Sequence, residues 1–143
     1  MLTVTKLHRF LLWATGGRAW SRLGAMQVIE LTTTGRQTGA SRTALLTVAA
    51  RSGSSLVVVA SRGGDDAHPA WYLNLVANPH VRVATPGRAT RDMVARTASD
   101  VEHESLWPAV VRAYGGYARY QERTSRRIPL VLLEVPTSRA GDD

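Results

Sequence analysis

Three tyrosines fall three residues apart in Tyr114-Gly-Gly-Tyr117-Ala-Arg119-Tyr120, around a double glycine. On a helix, that spacing puts their rings on one side. They can pack as a hydrophobic cluster with hydroxyls at its rim. They can equally form a pocket wall that stacks on a flat ligand and donates a proton to it. A second candidate segment is Thr32-Thr-Thr-Gly35-Arg36-Gln37-Thr38-Gly39-Ala40-Ser41-Arg42. Its glycines free backbone N–H groups to turn toward an anion, and Arg36 and Arg42 flank the turn with guanidinium forks suited to phosphate or carboxylate. It is also a good polar hairpin loop, and it matches neither a Walker loop nor a dinucleotide fingerprint.

Two further segments could line a site. Ala60-Ser61-Arg62-Gly63-Gly64 closes an apolar strand, where ligand groups collect at a barrel mouth, although an exposed turn is the simpler reading. His68-Pro69-Ala70-Trp71-Tyr72-Leu73-Asn74-Leu75 is a short aromatic helix in which Trp71 and Leu75, four apart, share a core face. His8, His68, His80 and His103 are scattered, and no metal-ligand spacing joins them. No serine–histidine–aspartate set or paired carboxylates are recognisable. Asp65, Asp66, Glu102 and Glu104 read as surface charges.

The elements that must position these groups follow from periodicity. Apolar residues from Leu7 to Ala14, followed by Gly16-Gly17, predict an amphipathic N-terminal helix within about residues 4–24. Its interleaved arginines and tryptophans suit a membrane surface, and suit a helix capping a barrel better. Strands are predicted at Met26–Thr34, Arg42–Ala50 and Ser54–Ser61, with a hairpin turn at Arg51–Gly53. The short helix begins at His68-Pro69 and stops at Asn78-Pro79. Strands at Val81–Thr85 and Ala89–Thr97 follow. Ser99 or Asp100 then caps a helix running to about Tyr114. A helical turn at Tyr117–Thr124, a last strand at Pro129–Val135 and a polar tail at 137–143 complete the chain. Six strands with little βαβ alternation predict a mainly β fold, a mostly antiparallel sheet closed into a small barrel with flanking helices.

Composition narrows the function classes. The 143 residues fit a single domain, read as 1–143. The absence of cysteine excludes disulfides, thiolate metal sites and cysteine nucleophiles. The formal charge is +7 and Lys6 is the only lysine, so the basicity is almost entirely arginine. Such a surface suits nucleic acid, anionic lipid or an anionic cofactor. The aromatics cluster in two segments instead of interleaving with the basic residues, which argues against a nucleic-acid stripe. No apolar run reaches the ~20 residues of a membrane-spanning helix, and the start makes a poor signal peptide, so a cytoplasmic location is expected.

Taken together, the strings LTTTGRQTGASR at 31–42, VVVASRGG at 57–64, HPAWYLNLVANP at 68–79 and AYGGYARYQERTSRRIP at 113–129 resemble the deazaflavin-dependent nitroreductase family. These are split-β-barrel oxidoreductases that use coenzyme F420. The likeness runs from about residue 7 to residue 135. It implies a six-stranded split β-barrel like those that bind FMN, and hydride transfer from the reduced deazaflavin to a quinone, enone or nitroaromatic. By the same resemblance, Arg36, Gln37, Thr38 and Arg42 hold the coenzyme's phosphate and acidic tail, with Thr43, Ala44, Leu45, Leu46 and Thr47 lining the strand. Val59, Ala60, Ser61 and Arg62 approach the ring, and Ala70, Trp71, Tyr72, Leu73 and Asn74 come from the short helix. Tyr117 lies nearest the coenzyme, with Tyr114 and Tyr120 beside it. Tyr117, Tyr114, Tyr120 and Ser61 are the expected donors to an acceptor oxygen.

The chain departs from the family pattern in places. Gln37 stands where a lysine is usual, Ala40-Ser41 and Leu45 replace residues that are often polar-Pro and Pro, Arg62 replaces a lysine, and Gly115-Gly116 replaces a Pro-containing pair. These departures bear on affinity more than on fold. The alternatives are a barrel that binds FMN or another flat anionic ligand, and a basic module for anionic lipid. The expected partner is a small-molecule acceptor, in a monomer or homodimer, with peripheral membrane contact through the N-terminal helix.

Overall fold

A computed structural model describes residues 26–137. The N-terminal helix expected at 4–24, and all but the first residue of the polar tail, lie outside the described residues. Seven strands form one sheet: β1 (Val28–Thr34), β2 (Ser41–Thr47), β3 (Ala50–Ser52), β4 (Ser55–Val59), β5 (His80–Ala84), β6 (Arg91–Thr97) and β7 (Leu130–Glu134). The helices are α1 (Ala70–Ala77), α2 (Asp100–Ala113) and α3 (Gly116–Glu122), with a 3-10 turn at Arg62–Gly64. The sheet order is β2-β1-β5-β6-β7-β4-β3, and every pairing is antiparallel.

Seven strands replace the expected six because Arg42–Ala50 is not one strand. It stops pairing at Thr47 and resumes at Ala50. Between them, Val48 N–H donates to Gln27 C=O at 2.7 Å, beside β1, whereas Ala49 N–H donates to Val57 C=O at 2.9 Å, on β4. The chain thus changes partners from one end of the sheet to the other within two residues. A sheet that curls until its edges are consecutive in the chain can only be crossed by such a corner. The result is a curled antiparallel half-barrel with helices on its flanks.

The apolar runs at 56–59 and 130–133 are continuous, not alternating, because β4 and β7 are covered on both faces. Leu56, Val58, Val131 and Leu133 point into the curl with Ile29, Leu31, Val83 and Met93, where Leu75 of α1 plugs the interior. Val57, Val59, Leu130 and Leu132 face outward onto Val110 of α2, Tyr117 of α3 and Ile128. Each such fully buried side chain stabilises the fold by about 1.5–3 kcal/mol. The second cluster is what brings the tyrosine segment against the sheet.

Local signals set the helix ends. Ser99 is the cap of α2, not Asp100: its hydroxyl accepts from Glu102 N–H at 3.2 Å, while Glu102 Oε1 accepts from Ser99 N–H at 2.9 Å. Glu102 also takes a bidentate pair from Arg96, whose Nε reaches Glu134 at 2.9 Å. These surface charges therefore tie α2 to β6 and β7. Pro69 is the extended cap residue before α1, with ψ 149°, so the helix starts at Ala70 and not at the His68-Pro69 expected from the sequence.

Candidate functional site

The loop between β1 and β2 is closed by Gly35 N–H donating to Ala40 C=O at 2.7 Å and Gly39 N–H donating to Gly35 C=O at 2.8 Å. Gly39 has φ +74°, a backbone conformation that favours glycine. Asn74 of α1, only 3% exposed, reaches across to this loop. Its side-chain oxygen accepts from Arg36 N–H at 3.2 Å and from Arg36 Nη1 at 2.9 Å. Its amide nitrogen donates to the buried Thr33 hydroxyl at 3.2 Å. One side chain therefore fixes both the loop and the direction of its guanidinium.

Beside that loop is an open cavity of about 330 Å³. Gly35, Arg36, Gln37 and Thr38 line it from the loop, Arg42, Thr43 and Ala44 from β2, and Ala70, Trp71 and Asn74 from α1. No carboxylate is among them. A second cavity, of about 490 Å³, also touches Trp71, so the two adjoin. Leu46, Thr47, Val59, Ser61 and Arg62 line it on the sheet side, with Met26, Gly63 and Pro69. Tyr114, Tyr117 and Tyr120 complete its lining. Leu45 joins Leu46, Thr47 and Val28 in a smaller recess below Tyr117.

Most of the expected site residues thus line two cavities that share Trp71, together the candidate groove, one with Arg36 and Arg42 and the other with the three tyrosines and Arg62. Four do not line it, and one of them, Leu45, borders only the smaller recess. Ala60 is fully buried and its carbonyl is held by Arg126. The Tyr72 ring packs on His68 and its hydroxyl meets Thr97 Oγ1 at 3.0 Å, and Leu73 borders neither cavity. Conversely Met26 lines the groove without a sequence signal, whereas Gly63 and Pro69 line it from within candidate segments in which they were not themselves named as site residues.

Tyr117 is 7% exposed, and its hydroxyl lies 2.9 Å from Thr47 Oγ1. Burial raises its pKa, against the lowering effect of that hydrogen bond. The phenol therefore stays protonated at neutral pH. Tyr114 meets Tyr117 edge-on at 5.2 Å, and its hydroxyl is 3.4 Å from that of Tyr120. That hydrogen bond, followed by burial, raises the Tyr120 pKa. Arg123 stacks over the Tyr120 ring at 5.6 Å and donates to Gly63 C=O.

Arg126 is the residue that sequence reasoning left without a role, although it sits within the quoted string at 113–129. Its guanidinium donates to the carbonyls of Asp65 at 2.7 Å, Ser61 at 2.8 Å and Ala60 at 3.2 Å, and to His68 Nδ1 at 3.1 Å. Gln121 of α3 in turn donates to Arg126 C=O at 2.7 Å. Arg126 thus clamps the Ser61–Arg62 corner, where Arg62 has a φ of +44°, to the helix that carries the tyrosines. Desolvation lowers the His68 pKa, with the Arg126 charge adding to it. The described residues contain no His/Asp/Glu group that could hold a metal.

The model of a family described as F420H(2)-dependent quinone reductase matches residues 5–135. This chain belongs to that family. An F420H(2)-dependent quinone reductase of Mycobacterium tuberculosis is 40% identical over 131 residues, which span 90% of this chain and 87% of that protein. A solved F420-H2 dependent reductase is 38% identical, with a TM-score of 0.67 over 76% of this chain and 94% of its own. Another solved structure, described as a domain-swapped dimer, has the same identity and TM-score over 76% of this chain and 80% of its own. The groove fits the family's coenzyme. The first cavity holds two arginines and no acid, as an anionic tail requires, and the second, which shares Trp71 with it, carries the tyrosine rings that suit a flat ring.

Proposed function

We propose that this groove binds reduced coenzyme F420 and a small quinone-like, enone or nitroaromatic acceptor, and that the protein is an oxidoreductase joining the two. The observation that carries the reading is that an arginine-lined cavity and a tyrosine-lined one share Trp71 as a lining residue. In this reading Arg36, Arg42, Thr38 and Thr43 hold the anionic tail, while Gln37 offers a neutral contact where the family has a charge. Ala44, Leu45, Leu46, Thr47, Val59, Ser61 and Arg62 border the ring. Ala70, Trp71 and Asn74 complete the groove from α1. The curled sheet is read as a split β-barrel forming one domain.

When bound, the coenzyme supplies a hydride, and the protein supplies placement and electrostatics. Reduction puts negative charge on an acceptor oxygen. A hydroxyl within hydrogen-bond reach stabilises that charge, by about 3 kcal/mol for a well-placed donor. Tyr117 suits this task. If Thr47 donates to the phenol oxygen, the Tyr117 proton is free to point into the cavity. Ser61, which lines the same cavity, is a second donor. No general base is needed for such a step, and the groove offers none.

The test is a fluorescence titration with reduced F420, FMN and NADPH in turn, followed by quinone addition. Saturable micromolar binding of the first alone, with oxidation on adding quinone, is the expected result. Equal affinity for FMN, or full binding by an Arg36→Ala/Arg42→Ala variant, would overturn the reading. Of the two oligomeric states expected, the domain-swapped relative supports a homodimer, which light scattering can establish. Among the described residues no helix is long and apolar enough to cross a membrane. Membrane contact through the N-terminal segment is tested by vesicle flotation.

A further inference from the structure

Gly116 begins α3, between Tyr114 and Tyr117. Its backbone does not call for glycine, since it is not among the residues with positive φ. What excludes a side chain there is Tyr114. A Cβ on Gly116 would stand 2.2 Å from Tyr114 Cε2, 2.3 Å from Cζ and 2.5 Å from the hydroxyl oxygen. The hydroxyl end of the Tyr114 ring therefore rests directly on the Gly116 backbone. The ring is held there by its edge-on contact with Tyr117 and by the Tyr120 hydroxyl.

Resting on the functional reading above, we propose that Gly116 is a specificity-determining residue. By lacking a side chain it seats the Tyr114 ring against α3, and so keeps the aromatic end of the groove open to acceptors broader than one ring. Tyr114 lines that cavity together with Leu46 and Trp71. Any group on Gly116 must lever the ring off the helix, and Tyr117 and Tyr120 stand beside it. The space left is the cavity, which then narrows. Gly116 touches no acceptor and acts only through Tyr114.

The test uses Gly116→Ala, Tyr114→Ala and the double variant in the full chain. Overpacking against the Tyr114 ring costs about 1–3 kcal/mol, against about 1 kcal/mol of helix propensity that alanine adds, so Gly116→Ala is expected to fold with an equal or lower Tm, restored in the double variant. Binding of 1,4-naphthoquinone and 1,4-benzoquinone is read by quenching of intrinsic fluorescence, independently of turnover. Steady-state kcat/KM for both quinones follows. Overpacking by one methyl should lower the preference for the two-ring quinone by about fivefold or more, with coenzyme affinity held within about twofold. In the Tyr114→Ala background the same substitution should have no effect on that ratio.

An unchanged ratio in Gly116→Ala overturns the inference, as does an equal change in both backgrounds. Failure of the wild-type protein to bind the reduced deazaflavin would instead sink the functional reading, and quinone binding would still decide the role of Gly116.

Discussion

The Tyr117 hydroxyl lies 2.9 Å from Thr47 Oγ1, across 70 residues of sequence. The pair joins the tyrosine helix to the last paired residue of β2, just before the chain changes partners in the sheet. If Tyr117 stabilises the developing negative charge, Tyr117→Phe should lower kcat about a hundredfold, with coenzyme affinity nearly unchanged. Thr47→Val removes only the orienting bond and should cost about fivefold. Stopped-flow reduction of a quinone by the loaded enzyme measures both. Unchanged turnover in Tyr117→Phe would remove its proposed role.

Asn74 makes three hydrogen bonds from a buried position. Asn74→Leu should destabilise the fold by about 2 kcal/mol, because the Thr33 hydroxyl loses its donor and the loop N–H loses its acceptor. The freed Arg36 should weaken coenzyme binding while the KM for the quinone stays put. Urea denaturation and a binding titration separate the two effects.

Lysine cannot reproduce the fork of Arg126, which serves three carbonyls and His68. Arg126→Lys is expected to lose about 1–3 kcal/mol of stability. Amide hydrogen exchange should rise at residues 61–66 before it rises in β4. Uniform loss of protection would show that the clamp is not local.

His68 carries the pH dependence of that corner. Its folded pKa lies below the ordinary 6.5, because burial and Arg126 disfavour the cation. The unfolded chain therefore takes up the proton first as pH falls. The stability contribution is complete above about pH 6.5 and is lost as pH drops below it toward the folded value. Thermal denaturation between pH 7 and 5 should show this decline, and His68→Asn should flatten it. An identical slope in the variant would assign the effect elsewhere.

Much of the fold was readable from local pattern. Alternating residues marked β5, apolar runs marked β4 and β7, and a Ser99 or Asp100 cap marked the start of α2, which the structure assigns to Ser99. The corner at Val48–Ala49 was not readable, since its residues are as apolar and extended as their neighbours. Only their hydrogen-bond partners, on opposite ends of the sheet, distinguish them. Arg126 was missed for a similar reason. An exposed-looking arginine in a loop carries no trace of the carbonyls it will meet 60 or more residues away.

The chain's own order of residues determined which groups could do chemistry: guanidiniums beside a glycine loop, a row of phenols, a strand end with Ser61, and no thiol at all. Those are properties of residue type and short-range spacing, and they were enough to place the chain in its family. The tertiary structure decided which of them share a groove, which face away as Tyr72 does, and that a bare Gly116 lies beneath Tyr114. Contacts between distant segments are set by how the sheet curls and packs, and no local pattern encodes that geometry.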